Sequence, residues 1–377
     1  MHRRQARGRL PAGVRRWSGD RRRAARACRS ARWSAGVSVR FCGLELAHRV
    51  INGSGTFDVI AARKAFGRAL DAEFPFAAYV SKTITLKPRP GNPPPRLWET
   101  PAGLINSIGL PNAGLEAYMR SDLPQLTGLT TPAPAADRAD GRSPPRDRAE
   151  RFPVPLITNV MGSTAEEFAR LVEACETRAE IAAIELNVSC PNVRTGLDIG
   201  ADPGQLERVV AQLRPRTRKP LIVKLTPNTA DVASCAAAAQ AGGADAVSLI
   251  NTLRAMALVR SAAGAPASAW LGGGTGGLSG PAVRAVALAQ VATVAARVSV
   301  PVVGMGGVES TAHARDMIDA GATLVAVGTA SFRDPAAAAR IADGLARGRR
   351  GAAAAGAAAQ PPRAVGVAGE RAGEDAK

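Results

Sequence analysis

Eight short apolar runs recur along the chain, and most close on a polar residue or a glycine: Arg49–Gly53, Ala77–Lys82, Pro155–Asn159, Ala183–Asn187, Leu221–Lys224, Ala246–Asn251, Pro301–Gly304 and Thr323–Gly328. They are β-branched or aliphatic and lack period-2 alternation, the pattern of strands buried on both faces of a parallel sheet. Amphipathic stretches separate them, near 58–70, 112–122, 164–176, 203–214, 230–241, 281–296, 310–319 and 335–347. In the third of these Ser163 is the expected cap and Glu166 and Glu167 fall in the first turn, while Phe168, Leu171, Val172 and Cys175 recur at helical spacing. Eight strand–helix repeats specify an α/β fold, a (β/α)8 TIM barrel. A doubly wound open sheet is the alternative. Its first strand normally leads into a G-x-G-x-x-G phosphate turn. Here the first strand leads into Gly53-Ser54-Gly55-Thr56-Phe57, and the glycine-rich turns come late in the chain.

Of the 377 residues, 46% are apolar, enough for a large core. No run approaches the roughly 18 apolar residues that read as a membrane span. The five cysteines are scattered, with no C-x-x-C. That spacing argues against a disulfide scaffold, a metal site or an iron–sulfur cluster held by this chain alone, and makes a reducing cytoplasm the expected compartment. The net charge of +18 is unevenly spread: residues 1–40 hold thirteen Arg against Asp20, so +12 arises there. Residues 1–37 read as a disordered Arg-rich extension. Such an arm suits nucleic acid or an organellar transit peptide, but no nucleic-acid fold motif accompanies it, and a solvated extension is the preferred reading. Residues 129–151 read as a disordered surface insertion and 349–377 as a disordered low-complexity tail, leaving 38–348 as one ordered barrel domain.

Active sites of such barrels form at the carboxyl ends of the strands. Those ends carry Ser54 and Thr56, Lys82, Asn159, Asn187 followed by Cys190, Lys224, Asn251, Gly304–Gly307 and Gly328-Thr329. One amide or amine at a strand end is usually just solvated. Several converging on one mouth suit a planar, polar heterocycle, with Lys82 and Lys224 facing anionic or electron-rich groups. Gly276-Gly277-Leu278-Ser279-Gly280, Gly306-Gly307 and Gly328-Thr329 cluster near the last two strands, where backbone N–H groups can approach a phosphate. Ordinary tight turns are the plain alternative, and no G-x-x-x-x-G-K-[ST] loop occurs. Cys190 lies just beyond the fourth strand with no histidine at this mouth, since His2, His48 and His313 fall elsewhere. A lone cysteine base is therefore favoured over a Cys/His nucleophile.

IELNVSCPN, KTIT, NSIGLPN, VKLTPN, INT, GGLSGPA, GMGGV and AVGTA together resemble class 1 dihydroorotate dehydrogenases over about residues 38–335, apart from the insertion. The INT…GTGGLSGPA stretch and GMGGVE look most like the catalytic subunit of the NAD-linked subclass, 1B. Membrane-bound class 2 enzymes carry Ser in place of this Cys and an amphipathic amino-terminal domain, whereas residues 1–37 show no apolar faces. Dihydropyrimidine dehydrogenase has a similar Ser-Cys-Pro but His at the position of Asn192.

The resemblance implies FMN and the oxidation of (S)-dihydroorotate to orotate in UMP biosynthesis. Thr56, Lys82, Thr83, Asn159, Asn187, Lys224, Ile250, Gly280, Gly306, Gly307, Gly328 and Thr329 would line the flavin. Lys82, Asn106, Ser107, Ile108, Gly109, Leu110, Asn187, Asn192, Asn251 and Thr252 would hold the substrate. Cys190 would take the C5 proton while hydride leaves C6 for flavin N5, with Lys82 the second catalytic residue. It further implies a homodimer, or a heterotetramer with a partner subunit that carries FAD and a 2Fe-2S cluster and passes electrons to NAD. A fumarate-linked enzyme and another FMN barrel remain alternatives, as does a basic nucleic-acid-binding protein built on the arm.

Overall fold

The computed structural model describes residues 38–67, 70, 74–127, 152–188, 196–260 and 266–356. The basic arm, the 129–151 insertion, Cys190 and Asn192 lie outside the described residues.

Every expected run is a strand: β1 Val50–Asn52, β2 Tyr79–Val80, β3 Leu156–Val160, β4 Ile181–Asn187, β5 Leu221–Lys224, β6 Ala246–Leu249, β7 Val302–Met305 and β8 Leu324–Val327. They form one eight-stranded sheet in the order β1-β8-β7-β6-β5-β4-β3-β2, and its paired neighbours run parallel. Strands β3 and β5 to β8 are buried at every position. This is why their sequences do not alternate. The helices that cover the sheet are α1 Val59–Phe66, α2 Leu123–Thr127, α3 Ala165–Glu176, α4 Pro203–Leu213, α5 Val232–Ala241, α6 Arg284–Arg297, α7 Thr311–Asp319 and α8 Ala337–Gly356.

Two apolar layers result. Ile51, Ile157, Ala183, Ile222, Ala246, Val303 and Ala326 fill the cylinder. A hairpin of Val39–Phe41 and Leu44–Leu46 adds Phe41 and Leu46, each 1% exposed, to that inner layer. Outside the wall, Leu171, Val172, Leu206, Val210, Val291, Val294 and Ile341 pack helices against strands. Helices α1, α3, α4, α5 and α7 start on side-chain caps, namely Asp58, Thr164, Asp202, Asp231 and Ser310. Each such cap contributes about 1 kcal/mol. The cap of α3 is Thr164 rather than the expected Ser163. Thr164 has the extended backbone a cap needs, and the Ser163 N–H instead donates to Glu167 Oε2 at 2.7 Å. Helix α8 runs beyond the expected 335–347 stretch to Gly356, so residues 349–356 of the expected disordered tail are helical, where the alanine-rich sequence has high helix propensity, and 357–377 lie outside the described residues.

Strands β1 and β2 share no ladder in the sheet. The seam is closed by Ala77 N–H donating to Val50 O at 2.9 Å and by the fully buried Asn52 side chain. Its Nδ2 donates to Val80 O and its Oδ1 accepts from Val80 N–H, both at 2.8 Å. The carboxamide thus stands in for a missing peptide group.

An unforeseen four-stranded antiparallel sheet edges the mouth, in the order Leu253–Ala255, Gly276–Ser279, Gly103–Asn106, Leu97–Thr100. Its second strand contains Gly276-Gly277, so these glycines are not a phosphate turn. A Cβ on Gly277 would overlap Thr252 Oγ1, and one on Gly276 would overlap Asn106 O. They are small because neighbouring strands pass close by. No helix among the described residues is long and apolar enough to cross a membrane.

Candidate active site

A cavity of about 770 Å³ opens at the carboxyl ends of the strands. Thr56, Lys82, Thr83, Asn187, Lys224, Ile250, Asn251, Thr252, Gly306, Gly307, Gly328 and Thr329 all line it. Gly280 joins them from the loop before α6, and Asn106, Ile108, Gly109 and Leu110 from the mouth sheet and its following loop. Two expected residues do not line it. Ser107 donates to Thr275 O and accepts from Asn92 Nδ2, both at 2.9 Å, so its hydroxyl ties loops together. Asn159 lies below the cavity and donates through Nδ2 to Glu185 Oε2 at 2.5 Å.

The polar wall is pre-organised. Asn187 Nδ2 donates to Thr83 Oγ1 at 3.2 Å, and Ser54 Oγ donates to Ser81 O at 2.8 Å. Lys224 is 5% exposed, yet forms no hydrogen bond or ion pair among the described residues. A buried ammonium is expensive unless something electron-rich sits against it. Lys82 projects from the end of β2 into the more open part of the cavity. Asp58 and Asp122 share that part, and burial holds the Asp122 carboxyl above its usual range, opposed by the charge of Lys82. Asp122 ends a π-helical turn, Tyr118–Asp122, whose Tyr118 hydroxyl lies 3.0 Å from Thr158 Oγ1. Sequence reasoning missed Asp122 and Tyr118, since a π turn has no periodic signature.

The glycine end of the cavity has little room for side chains. Gly306 and Gly307 have φ of 130° and 67°. A Cβ on Gly306 would stand 2.6 Å from Ala287 Cβ, and one on Gly307 2.8 Å from both Gly280 O and Arg284 Cβ. Bare backbone here leaves N–H groups accessible to an anion. On the opposite side, the loop after Asn106 turns at Gly109 and Leu110, the latter a non-glycine residue at φ 53°. Asn112 fixes this turn: its Nδ2 donates to Leu110 O and its Oδ1 accepts from Gly114 N–H, both at 2.9 Å. Left-handed backbone at a non-glycine residue persists where the surroundings over-determine it, commonly at ligand clamps.

A buried lysine with no partner among the described residues, a wall of amides and a bare glycine cradle fit a phosphorylated, planar, electron-rich group such as a flavin nucleotide. Among the described residues no cluster of His, Cys, Asp and Glu is arranged to hold a metal ion.

The family model for dihydroorotate dehydrogenase matches residues 37–348. Several curated relatives carry the name dihydroorotate dehydrogenase B (NAD(+)), catalytic subunit. The one from Pelobacter propionicus is 43% identical over 312 residues, covering 82% of this chain and 92% of that protein. The one from Trichlorobacter lovleyi is 43% identical over 310 residues, with the same coverage. The one from Desulforudis audaxviator is 43% identical over 310 residues, covering 82% of this chain and 91% of that protein.

Proposed function

Since the chain belongs to the dihydroorotate dehydrogenase family, we propose that it oxidises (S)-dihydroorotate to orotate in pyrimidine biosynthesis, with FMN held in the cavity at the mouth of the barrel. The observation that carries this reading is the buried Lys224, unpartnered among the described residues, opening onto the same cavity as the Asn187 and Asn251 amides and the Gly306-Gly307 cradle.

Bound FMN would supply the acceptor for the hydride of C6. The chain's own residues do the rest. Gly280, Gly306, Gly307, Gly328 and Thr329 offer backbone N–H groups and a hydroxyl to the phosphate. Lys224, which lines the same cavity, would supply a positive charge to the electron-rich edge of the ring. Asn106, Asn187 and Asn251, with Asn192, pair with the pyrimidine edge, and Lys82 holds the substrate carboxylate. Cys190 takes the proton from C5, the role its place in the IELNVSCPN motif gives it. Ser107, tied to Asn92 and Thr275, would support the substrate loop, and Asn159, held through Nδ2 by Glu185, keeps an Oδ1 with no partner among the described residues for the flavin.

The relatives' names, with NAD(+) and a catalytic subunit in them, support a reading in which electrons leave for NAD through a partner subunit. In this reading that subunit carries FAD and a 2Fe-2S cluster, the catalytic chains pair as a homodimer within a heterotetramer, and the enzyme works in the cytoplasm. The test is the visible spectrum of the purified chain. A flavin spectrum that bleaches anaerobically with dihydroorotate, and not with dihydrouracil, is expected. A colourless protein, or a yellow one that dihydroorotate leaves unchanged, refutes the reading. Steady-state assays with NAD against fumarate, with and without a co-purifying partner, test the acceptor.

A further inference from the structure

One buried charge takes no part in that chemistry. Glu185, on β4, is 4% exposed and does not line the cavity. Its Oε2 accepts from Asn159 Nδ2 at 2.5 Å and its Oε1 from Ser248 Oγ at 2.7 Å. Both donors are neutral, and among the described residues no cation lies within ion-pair distance of Glu185. Lys224 is in the mirror situation, 5% exposed and with no ion-paired anion among the described residues.

Strand register brings the two together. On the β4–β5 ladder Asn187 faces Lys224, and Glu185 faces Ile222 two residues earlier. On the β5–β6 ladder Lys224 faces Ser248, the residue whose hydroxyl bonds Glu185. The carboxylate and the ammonium therefore occupy successive layers of one narrow, water-poor cylinder. Buried charges persist when they are compensated, and the ladders set these two opposite charges on adjacent strands, two residues apart in register.

We propose that Glu185 is the counter-charge of Lys224 and a positioning residue that sets the reduction potential of the bound flavin. This rests on the FMN reading. It acts from below, through its charge and Lys224, without touching cofactor or substrate, and Asn159 and Ser248 hold it in place. Reduction adds negative charge to the ring. Lys224 favours the reduced form, and Glu185 limits how far.

The experiment is a spectroelectrochemical titration of the FMN-loaded chain. Glu185→Gln removes the charge and retains one acceptor oxygen. The equilibrium for flavin reduction is expected to shift about tenfold toward the reduced form, a rise of about 30 mV for a two-electron couple. Lys224→Gln shifts it the opposite way. Ser248→Ala removes a hydrogen bond but keeps the charge, and leaves the potential within about twofold of the parent. A Glu185→Gln potential equal to the parent's, with only the melting temperature lowered, makes Glu185 a structural tie and overturns the proposal. So does a Ser248→Ala shift as large as that of Glu185→Gln. Should Glu185→Gln fail to fold, the double variant Glu185→Gln/Lys224→Gln, which removes both charges, is required to fold; its failure also overturns the pairing. A parent chain that binds no flavin overturns both readings, whereas a flavin-bound parent with an unshifted Glu185→Gln overturns this one alone.

Discussion

Replacing Gly307 by alanine separates two demands placed on one residue. The backbone there is left-handed, at φ 67°, which by itself destabilises an L-residue by about 1–2 kcal/mol. The new methyl would also stand 2.8 Å from Gly280 O and 2.8 Å from Arg284 Cβ. Crowding of that kind adds about 1–3 kcal/mol, because the obstacle is backbone and helix rather than a mobile side-chain tip. Gly274 is the internal control, with φ of 76° and nothing within 4 Å of an added Cβ. Gly274→Ala carries the conformational term alone. At roughly 2–4 °C per kcal/mol for an ordinary domain, Gly307→Ala melts several degrees below Gly274→Ala. The displaced backbone also loses its approach to the phosphate, and every 1.4 kcal/mol lost there weakens FMN binding about tenfold. Melting curves of the two apoproteins and FMN dissociation constants by fluorescence quenching are the assays. Equal melting temperatures refute the crowding argument. A destabilised Gly307→Ala that binds FMN as tightly as the parent refutes the cradle.

Cys190→Ala is expected to retain FMN but to slow anaerobic flavin reduction by dihydroorotate roughly 10²–10⁴-fold; stopped-flow rates near the parent's remove the thiol from the mechanism. Asn52→Ala leaves the buried N–H and C=O of Val80 without partners and destabilises the barrel by about 2–5 kcal/mol, measured by urea unfolding of the apoprotein. Burial holds the His48 imidazole down to about 4. Its Nδ1 accepts from Val50 N–H at 3.2 Å, a bond that protonation removes. The unfolded chain takes up this proton near pH 6.5, so stability is fully present above that pH and is lost as pH falls toward 4. The loss amounts to roughly 3 kcal/mol at most, and a His48→Asn variant is expected to flatten that part of the stability–pH curve.

The barrel strands are legible because burial on both faces leaves an uninterrupted aliphatic run, and the polar residue ending each run marks the mouth. Lys224 and Asn187 can be placed on one wall from this alone. The mouth sheet is not legible. Leu97–Thr100 and Gly103–Asn106 are short, and Gly276-Gly277 looks like a turn until the packing of Thr252 and Asn106 against it is seen. Asn159 shows the limit of reading a site from strand ends. It follows the same rule as Asn187, but its Nδ2 is held by Glu185, its partner across the β3–β4 ladder. A carboxylate inside an apolar run, as in Ile184-Glu185-Leu186, is itself the available signal, and it is masked by the more conspicuous Asn187 and Cys190 that follow it in the same motif.

The seam between β1 and β2 gives the opening an adjustable gauge. The strands on either side lead directly to Thr56 and to Lys82, both of which line the cavity. Elsewhere around the circumference, widening the cylinder breaks a whole ladder of backbone hydrogen bonds between neighbouring strands. Here it stretches a few separate bonds, the paired grip of Asn52 on Val80, Ala77 N–H on Val50 O and Ser54 Oγ on Ser81 O, so the spacing is governed largely by side chains.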